Sequence, residues 1–149
     1  MMLTFVIASV LLSPAAKAQN VSQTAMAGPY SVTLKVLPAE SFSGPNAAMA
    51  WDGGAEPNHL NGPDHPNHHM VAFIKMNGAP VLDADVTIRY RQLPPTKGEW
   101  MSLPMARMHM AGMGLKTTHY GNNVKLTSGT FQVQVTVNGK GPAEFHFSM

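Results

Sequence analysis

No cysteine occurs anywhere in the 149 residues. That absence excludes a disulfide framework, a lipid-modified N-terminal cysteine, a thiol nucleophile and a blue-copper thiolate site. Charge is scarce too: Asp, Glu, Lys and Arg make up 12% of the chain. Ten basic and eight acidic residues leave a formal charge of +2, and no basic cluster occurs. The composition therefore offers no footprint for nucleic acid or an anionic membrane surface. The pI of 9.1 arises from so small an excess that it carries no binding signal. No stretch reaches the roughly 18 apolar residues of a membrane span. No segment sustains a long 3.6-residue period, and no internal repeat or domain boundary is visible.

Enzymatic patterns are missing as well. The chain has no G-x-S-x-G and no H-E-x-x-H, and Gly112-Met113-Gly114 is too short for a dinucleotide fingerprint. The carboxylates Asp52, Glu56, Asp64, Asp83, Asp85, Glu99 and Glu144 are scattered, with no paired arrangement. The expectation is a protein that is not an enzyme.

What is present begins with an apolar run, Leu3 to Leu12, too short to cross a bilayer. Ser13-Pro14 and an A-x-A pattern, Ala16-Lys17-Ala18, follow it. This reads as a secretory signal peptide over residues 1–18, ahead of one domain over 19–149. No Lys or Arg precedes the run, which is atypical of a leader. Removing Lys17 would take the charge from +2 to about +1. An exported, periplasmic chain of about 130 residues without disulfides must rely on its core, and that length suffices.

Period-two alternation marks several half-buried strands. Tyr30, Val32, Leu34 and Val36 share one face of their segment. Val86, Ile88 and Tyr90 alternate with Thr87, Arg89 and Arg91. Residues 131–137 (FQVQVTV) give the cleanest pattern, and Phe145 and Phe147 alternate with His146 near the end. Residues 69–76 (HMVAFIKM) are apolar on both faces, as in a central strand. Turn signals separate these runs: Asn77-Gly78, Pro94-Pro95 to Gly98, Ser128-Gly129 and Asn138-Gly139. About seven short strands predict an all-β, antiparallel sandwich of immunoglobulin-like or cupredoxin-like type. Two segments do not read as strands. Residues 43–67 are rich in Gly, Pro and Asn and long for a connection. The other is the segment from Met105 to Met113.

That segment reads M-x-x-M-H-M-x-x-M through Met105, Met108, His109, Met110 and Met113. Thioether sulfur is a soft neutral ligand that selects Cu(I), and imidazole binds copper, zinc and iron. The competing account is that these methionines fill core gaps or cover apolar surface. Neither a period of two nor one of 3.6 puts all four sulfurs on one side, which favours a metal role. His119 lies just beyond, in Thr117-Thr118-His119-Tyr120. Of the four histidines in residues 58–70, His59 and His65 sit among Gly, Pro and Asn in what reads as a solvated loop. His68 and His69 open an apolar strand and would be held by the scaffold, with His69 preferred. Trp51 and Met49 could cover a site at that end, or simply belong to the core.

With these residues together, the chain resembles the periplasmic, immunoglobulin-like metal-binding proteins that accompany bacterial Fe(II) and copper uptake permeases. Those proteins carry a strand of the H-x-E-A-D-I-H type, a strand like LTIAYEL, then L-x-P-M, then H-Y-G-x-N before a closing strand. The counterparts here are residues 69–75 (HMVAFIK), 86–93 (VTIRYRQL), Leu103-Pro104-Met105 and 119–123 (HYGNN). The likeness covers roughly the C-terminal half of the domain. In that family the first His, the Met of P-M and the His of H-Y-G bind copper, so the resemblance implies His69, Met105 and His119 as ligands. Val71 stands where the family has an acidic residue, which turns the expectation from iron towards copper. About seven extra residues separate P-M from H-Y-G, and a further family His has no clear counterpart. A looser resemblance to small periplasmic copper chaperones with Met-rich loops points the same way.

The expectation is thus a periplasmic copper-binding carrier or chaperone, or the accessory component of a copper or iron uptake system. It would bind Cu(I), Cu(II) or both, with iron the lesser choice. His69, Met105 and His119 would form the core site, with His68 as the alternate. Met108, His109, Met110 and Met113 would supply a more exposed Cu(I) platform. Its partners would be the metal ion and a membrane permease or another periplasmic copper protein, with no nucleic acid and no membrane span after leader removal. A homodimer sharing metal ligands is compatible with this reading. The alternative is an interaction module whose Met-rich loop docks a protein partner without metal.

Overall fold

A computed structural model describes residues 20–62, 64–94 and 98–149. The expected leader, residues 1–18, lies outside the described residues. Among the described residues there are eleven strands: β1 Val21–Ala27, β2 Tyr30–Pro38, β3 Met49–Gly54, β4 His68–Met76, β5 Ala79–Pro80, β6 Val86–Gln92, β7 Met101–Ser102, β8 Ala106–Met110, β9 His119–Val124, β10 Thr130–Val137 and β11 Lys140–Ser148. A short 3-10 turn, Leu115–Thr117, precedes β9. All pairings are antiparallel.

Two sheets result. One has the order β1-β2-β4-β9-β8-β3, with β5 against β4; the other has the order β11-β10-β6-β7. Alternation dictates how they face each other. Val32, Leu34 and Val36 of β2 and Met70, Ala72 and Ile74 of β4 meet Ile88 of β6, Val133 and Val135 of β10 and Phe145 of β11 in one buried core. The fold is an antiparallel β-sandwich. Two hairpins turn on Asn-Gly pairs with positive φ at both residues, Asn77 (50°) with Gly78 (78°) and Asn138 (48°) with Gly139 (73°). This twist matches that of the flanking strands.

The two segments expected to lack strands in fact contain them. Residues 49–54 form β3, and residues 106–110, inside the Met-rich run, form β8, its partner. Alternation was obscured because β3 is bulged between Trp51 and Gly53 and ends in two glycines. Such an interruption breaks the period that reveals a strand. The β3–β8 pair forms one edge of the larger sheet.

Strand β9 sits between β4 and β8, and Gly121 lies opposite Val71 on one side and Ala106 on the other. Its φ of 154° is rarely adopted by residues with a side chain. A Cβ there would collide with the Met70 carbonyl oxygen and lie 2.8 Å from the Val71 Cα. Both are backbone atoms of the central strand and cannot swing away. Gly121→Ala should therefore lower stability by on the order of 3 kcal/mol, as overpacking against fixed neighbours does. An unchanged urea midpoint would refute the close approach.

Candidate metal centre

The larger sheet is buried on both faces near its middle. Met70, Ala72 and Ile74 of β4 face the main core, while His69, Val71 and Phe73 alternate to the outer face. There a second buried cluster forms from Met49, Val71, Ala106 and Met108, with Phe42, Ala48 and Phe73 packed against it. Met108 is paired with His119 across β8 and β9, and Trp51 with Met108 across β3 and β8. His69 pairs with Asn123 across β4 and β9. Gly121 lies between His119 and Asn123 on β9, where the absence of a side chain lets β9 approach the backbone of β4.

His69 and His119 are both fully buried. Their ring centroids are 5.8 Å apart, edge to face. His119 stacks on Phe73 at 4.7 Å, and Phe42 lies 5.9 Å from the His69 ring. Each Nδ1 has a partner: His69 Nδ1 donates to Asn123 Oδ1 at 2.8 Å, and His119 Nδ1 donates to the Thr117 carbonyl at 2.7 Å. A carbonyl can only accept, so the Nδ1 of His119 must carry the proton and its Nε2 must be a bare acceptor. Both Nε2 atoms are buried and have no hydrogen-bond partner. Two orphaned acceptors in one apolar cluster are costly to maintain.

Burial is also what keeps these rings neutral. It pushes His69 down to about 4, against the opposing hydrogen bond from Asn123 and with a smaller contribution from His119. It lowers His119 as well, against its bond to Thr117. Neutral imidazole is the metal-ligating form, and a second hydrogen bond through the other ring nitrogen is the usual way its orientation is fixed. A centroid separation of 5.8 Å is within the span that two imidazoles ligating one ion about 2 Å from each nitrogen adopt. The donors fit a soft cation: two bare imidazole nitrogens, with Met49 and Met108 buried on the same face. Among the described residues, no three His, Asp or Glu side chains converge to hold a metal. The further soft donor atoms in the buried cluster on this face are the thioethers of Met49 and Met108.

The structure brings together only part of the expected set. His69, His119 and Met108 share the outer face. Met105 does not join them: it packs against the main core on the other side of the sheet, because alternation along β8 sends Ala106 and Met108 outwards. His109 also turns from that face and bonds Asp52 Oδ2 through Nδ1 at 2.8 Å. Met110 stands on the same face as Met108, paired with Met49, and is 37% exposed; Met113, in the turn after β8, is 54% exposed. His68 lies on the opposite face from His69, with its Nδ1 2.8 Å from Asn67 Oδ1, and burial lowers its pKa. His59 and His65 line a separate cavity of about 600 Å³ with Asp64 and Lys125.

Met49, in the buried outer-face cluster, and Asn123, bonded to His69, are two residues of this candidate site that the sequence did not single out as ligand and support. Met49 was hidden in a segment read as loop, although Met49 and Trp51 alternate. Asn123 lies in the quoted H-Y-G motif, two residues beyond Gly121 on the His119 face, and that spacing was its signal. The chain matches no family model, no curated protein and no solved structure.

A pH effect follows from His69. An unfolded histidine takes up a proton near 6.5, whereas the folded chain refuses it until about 4. Stability from this group is therefore fully present above pH 6.5 and is lost as pH falls towards 4, by on the order of 3 kcal/mol. Denaturant titrations of the metal-free protein across that window should show the loss, and His69→Phe should reduce it, leaving the part that His119 contributes. A wild-type profile flat between pH 6.5 and 4 would refute the assignment.

Proposed function

We propose that the protein is an exported copper carrier that binds Cu(I) on the outer face of its larger sheet. The observation that carries this reading is the pair of buried, unpartnered Nε2 atoms on His69 and His119. Met108 is paired with His119 and is buried with Met49 in the apolar cluster on the same face. Uncharged sulfur and nitrogen donors suit a soft monovalent ion, and a hard divalent ion would demand oxygen ligands that this face lacks. Iron is accordingly the weaker candidate. The role is delivery to, or receipt from, another copper protein or a permease, because a carrier needs ligands that can be exchanged one at a time. Met110 and Met113 are exposed beside the centre and can supply thioethers to an ion in transit.

Three substitutions test the reading by Cu(I) competition with a colorimetric chelator. Met108→Leu and His119→Ala should each weaken binding by about tenfold or more, the scale expected when a metal site loses an important group. Met105→Leu should leave affinity unchanged, because its side chain packs on the other side of the sheet. Wild-type affinity in Met108→Leu and His119→Ala would overturn the proposal. If Met105→Leu alone weakened binding, the ligand set suggested by the family resemblance would be restored.

A further inference from the structure

Asn123 is fully buried, and its amide is engaged on both sides. Oδ1 accepts from His69 Nδ1 at 2.8 Å and from the Glu40 backbone N–H at 3.1 Å. Nδ2 donates to the carbonyls of Glu40 at 2.7 Å and Asn58 at 3.3 Å. Those two carbonyls can only accept, so the amide cannot be flipped without setting acceptor against acceptor. With the amide so oriented, Oδ1 must face His69, whose Nδ1 must carry the proton. The lone pair on Nε2 is a consequence of that one amide.

The same amide holds a covering segment. Glu40 is the root of residues 39–48, which cross the outer face between β2 and β3. At its far end the segment is closed on Ser41: the Ser41 carbonyl accepts from the N–H groups of Ala48 and Met49, both at 3.0 Å, and Ser41 Oγ accepts from Ala48 N–H at 3.1 Å. Between these ties the segment lays Phe42 against His69. It also packs Phe42 and Ala48 on the cluster of Met49 and Met108. No solvent reaches either Nε2. The segment covers the His69 side of the pair, and lifting it breaks the Glu40–Asn123 bonds.

We propose that Asn123 is a positioning residue that acts as a latch. One side of its amide fixes His69 as the Nδ1–H tautomer, and both sides pin the 39–48 segment over the His69–His119 pair. The ring's readiness to bind and access to it are set by one side chain. Only the step concerning ion exchange rests on the copper reading; the tautomer and the cover are properties of the metal-free protein.

The test uses ¹⁵N-labelled, metal-free full-length domain. Long-range ¹H–¹⁵N correlations report which nitrogen of His69 is protonated, and amide exchange at Ala48 and Met49 reports the cover. Wild type should show His69 protonated on Nδ1; protonation on Nε2 would overturn the latch outright, whatever the variants do. Asn123→Asp keeps an acceptor for His69 but loses the donor to Glu40 and Asn58. It should preserve the tautomer and speed exchange at Ala48 and Met49 by about tenfold or more, as loss of a buried tie does. Exchange at wild-type rates in this variant, with Val133 and Val135 in the core still protected, would overturn the proposal. Phe42→Ala leaves Asn123 intact, so it should speed Cu(I) transfer to a chelator while the tautomer stays as in wild type. A change of tautomer in that variant would count against the latch. If wild type bound no Cu(I) while tautomer and exchange behaved as stated, the copper reading would fall and the latch would stand.

Discussion

The close approach of β9 to β4 is the constraint on which the rest of the molecule depends. It needs a residue without a side chain opposite Val71, and Gly121 supplies it. With the strands in that register, His69 stands beside Asn123 and His119 beside Phe73. The two imidazoles then lie with ring centroids 5.8 Å apart. Neither ring can turn away, because each Nδ1 is held by an acceptor fixed in the scaffold. Geometry that in many proteins is set by a metal ion is here set beforehand by hydrogen bonds, which is what preorganised binding requires.

The two asparagines after Gly121 extend this control to the loops. Asn122 accepts from the N–H groups of Asn58 and Asn123, and donates to the carbonyls of Glu56 and Pro104. Asn123 ties Glu40 and Asn58. A Gly- and Asn-rich stretch would otherwise be costly to order, because each fixed residue loses backbone freedom. Here the buried amides satisfy its main-chain groups one by one. The polar interior of the sheet and the order of its covering segments are thus one network.

Much of this was legible in the sequence. The alternation of Val32, Leu34 and Val36, of Val133 and Val135, and of Phe145 and Phe147 named the core positions, and Asn-Gly dipeptides marked two hairpins. The strand apolar on both faces proved to be β4, at the centre of the larger sheet. The β3–β8 pair was not legible, because a bulge and two glycines disturb β3 and because sulfur density distracted from period two in β8. The same mistake split the candidate site. Reading 105–113 as a loop let all four sulfurs gather, whereas a strand must send Met105 and Met108 to opposite faces. That His69 and His119 lie near each other was legible because their positions rest on strand ends and motif spacing. Asn123 was passed over because supporting amides leave no compositional trace.

The burial of Met108 and Met49 against the exposure of Met26, Met101 and Met113 has a chemical consequence. Thioethers are converted to sulfoxides by peroxide, and the rate follows accessibility. An oxidant meeting this protein would spend itself first on the outer methionines, while those beneath Phe42 keep their softness. The fold thus ranks its sulfur atoms by vulnerability, and Met49 and Met108 of the outer-face cluster are, with Met70 of the main core, among those least open to damage.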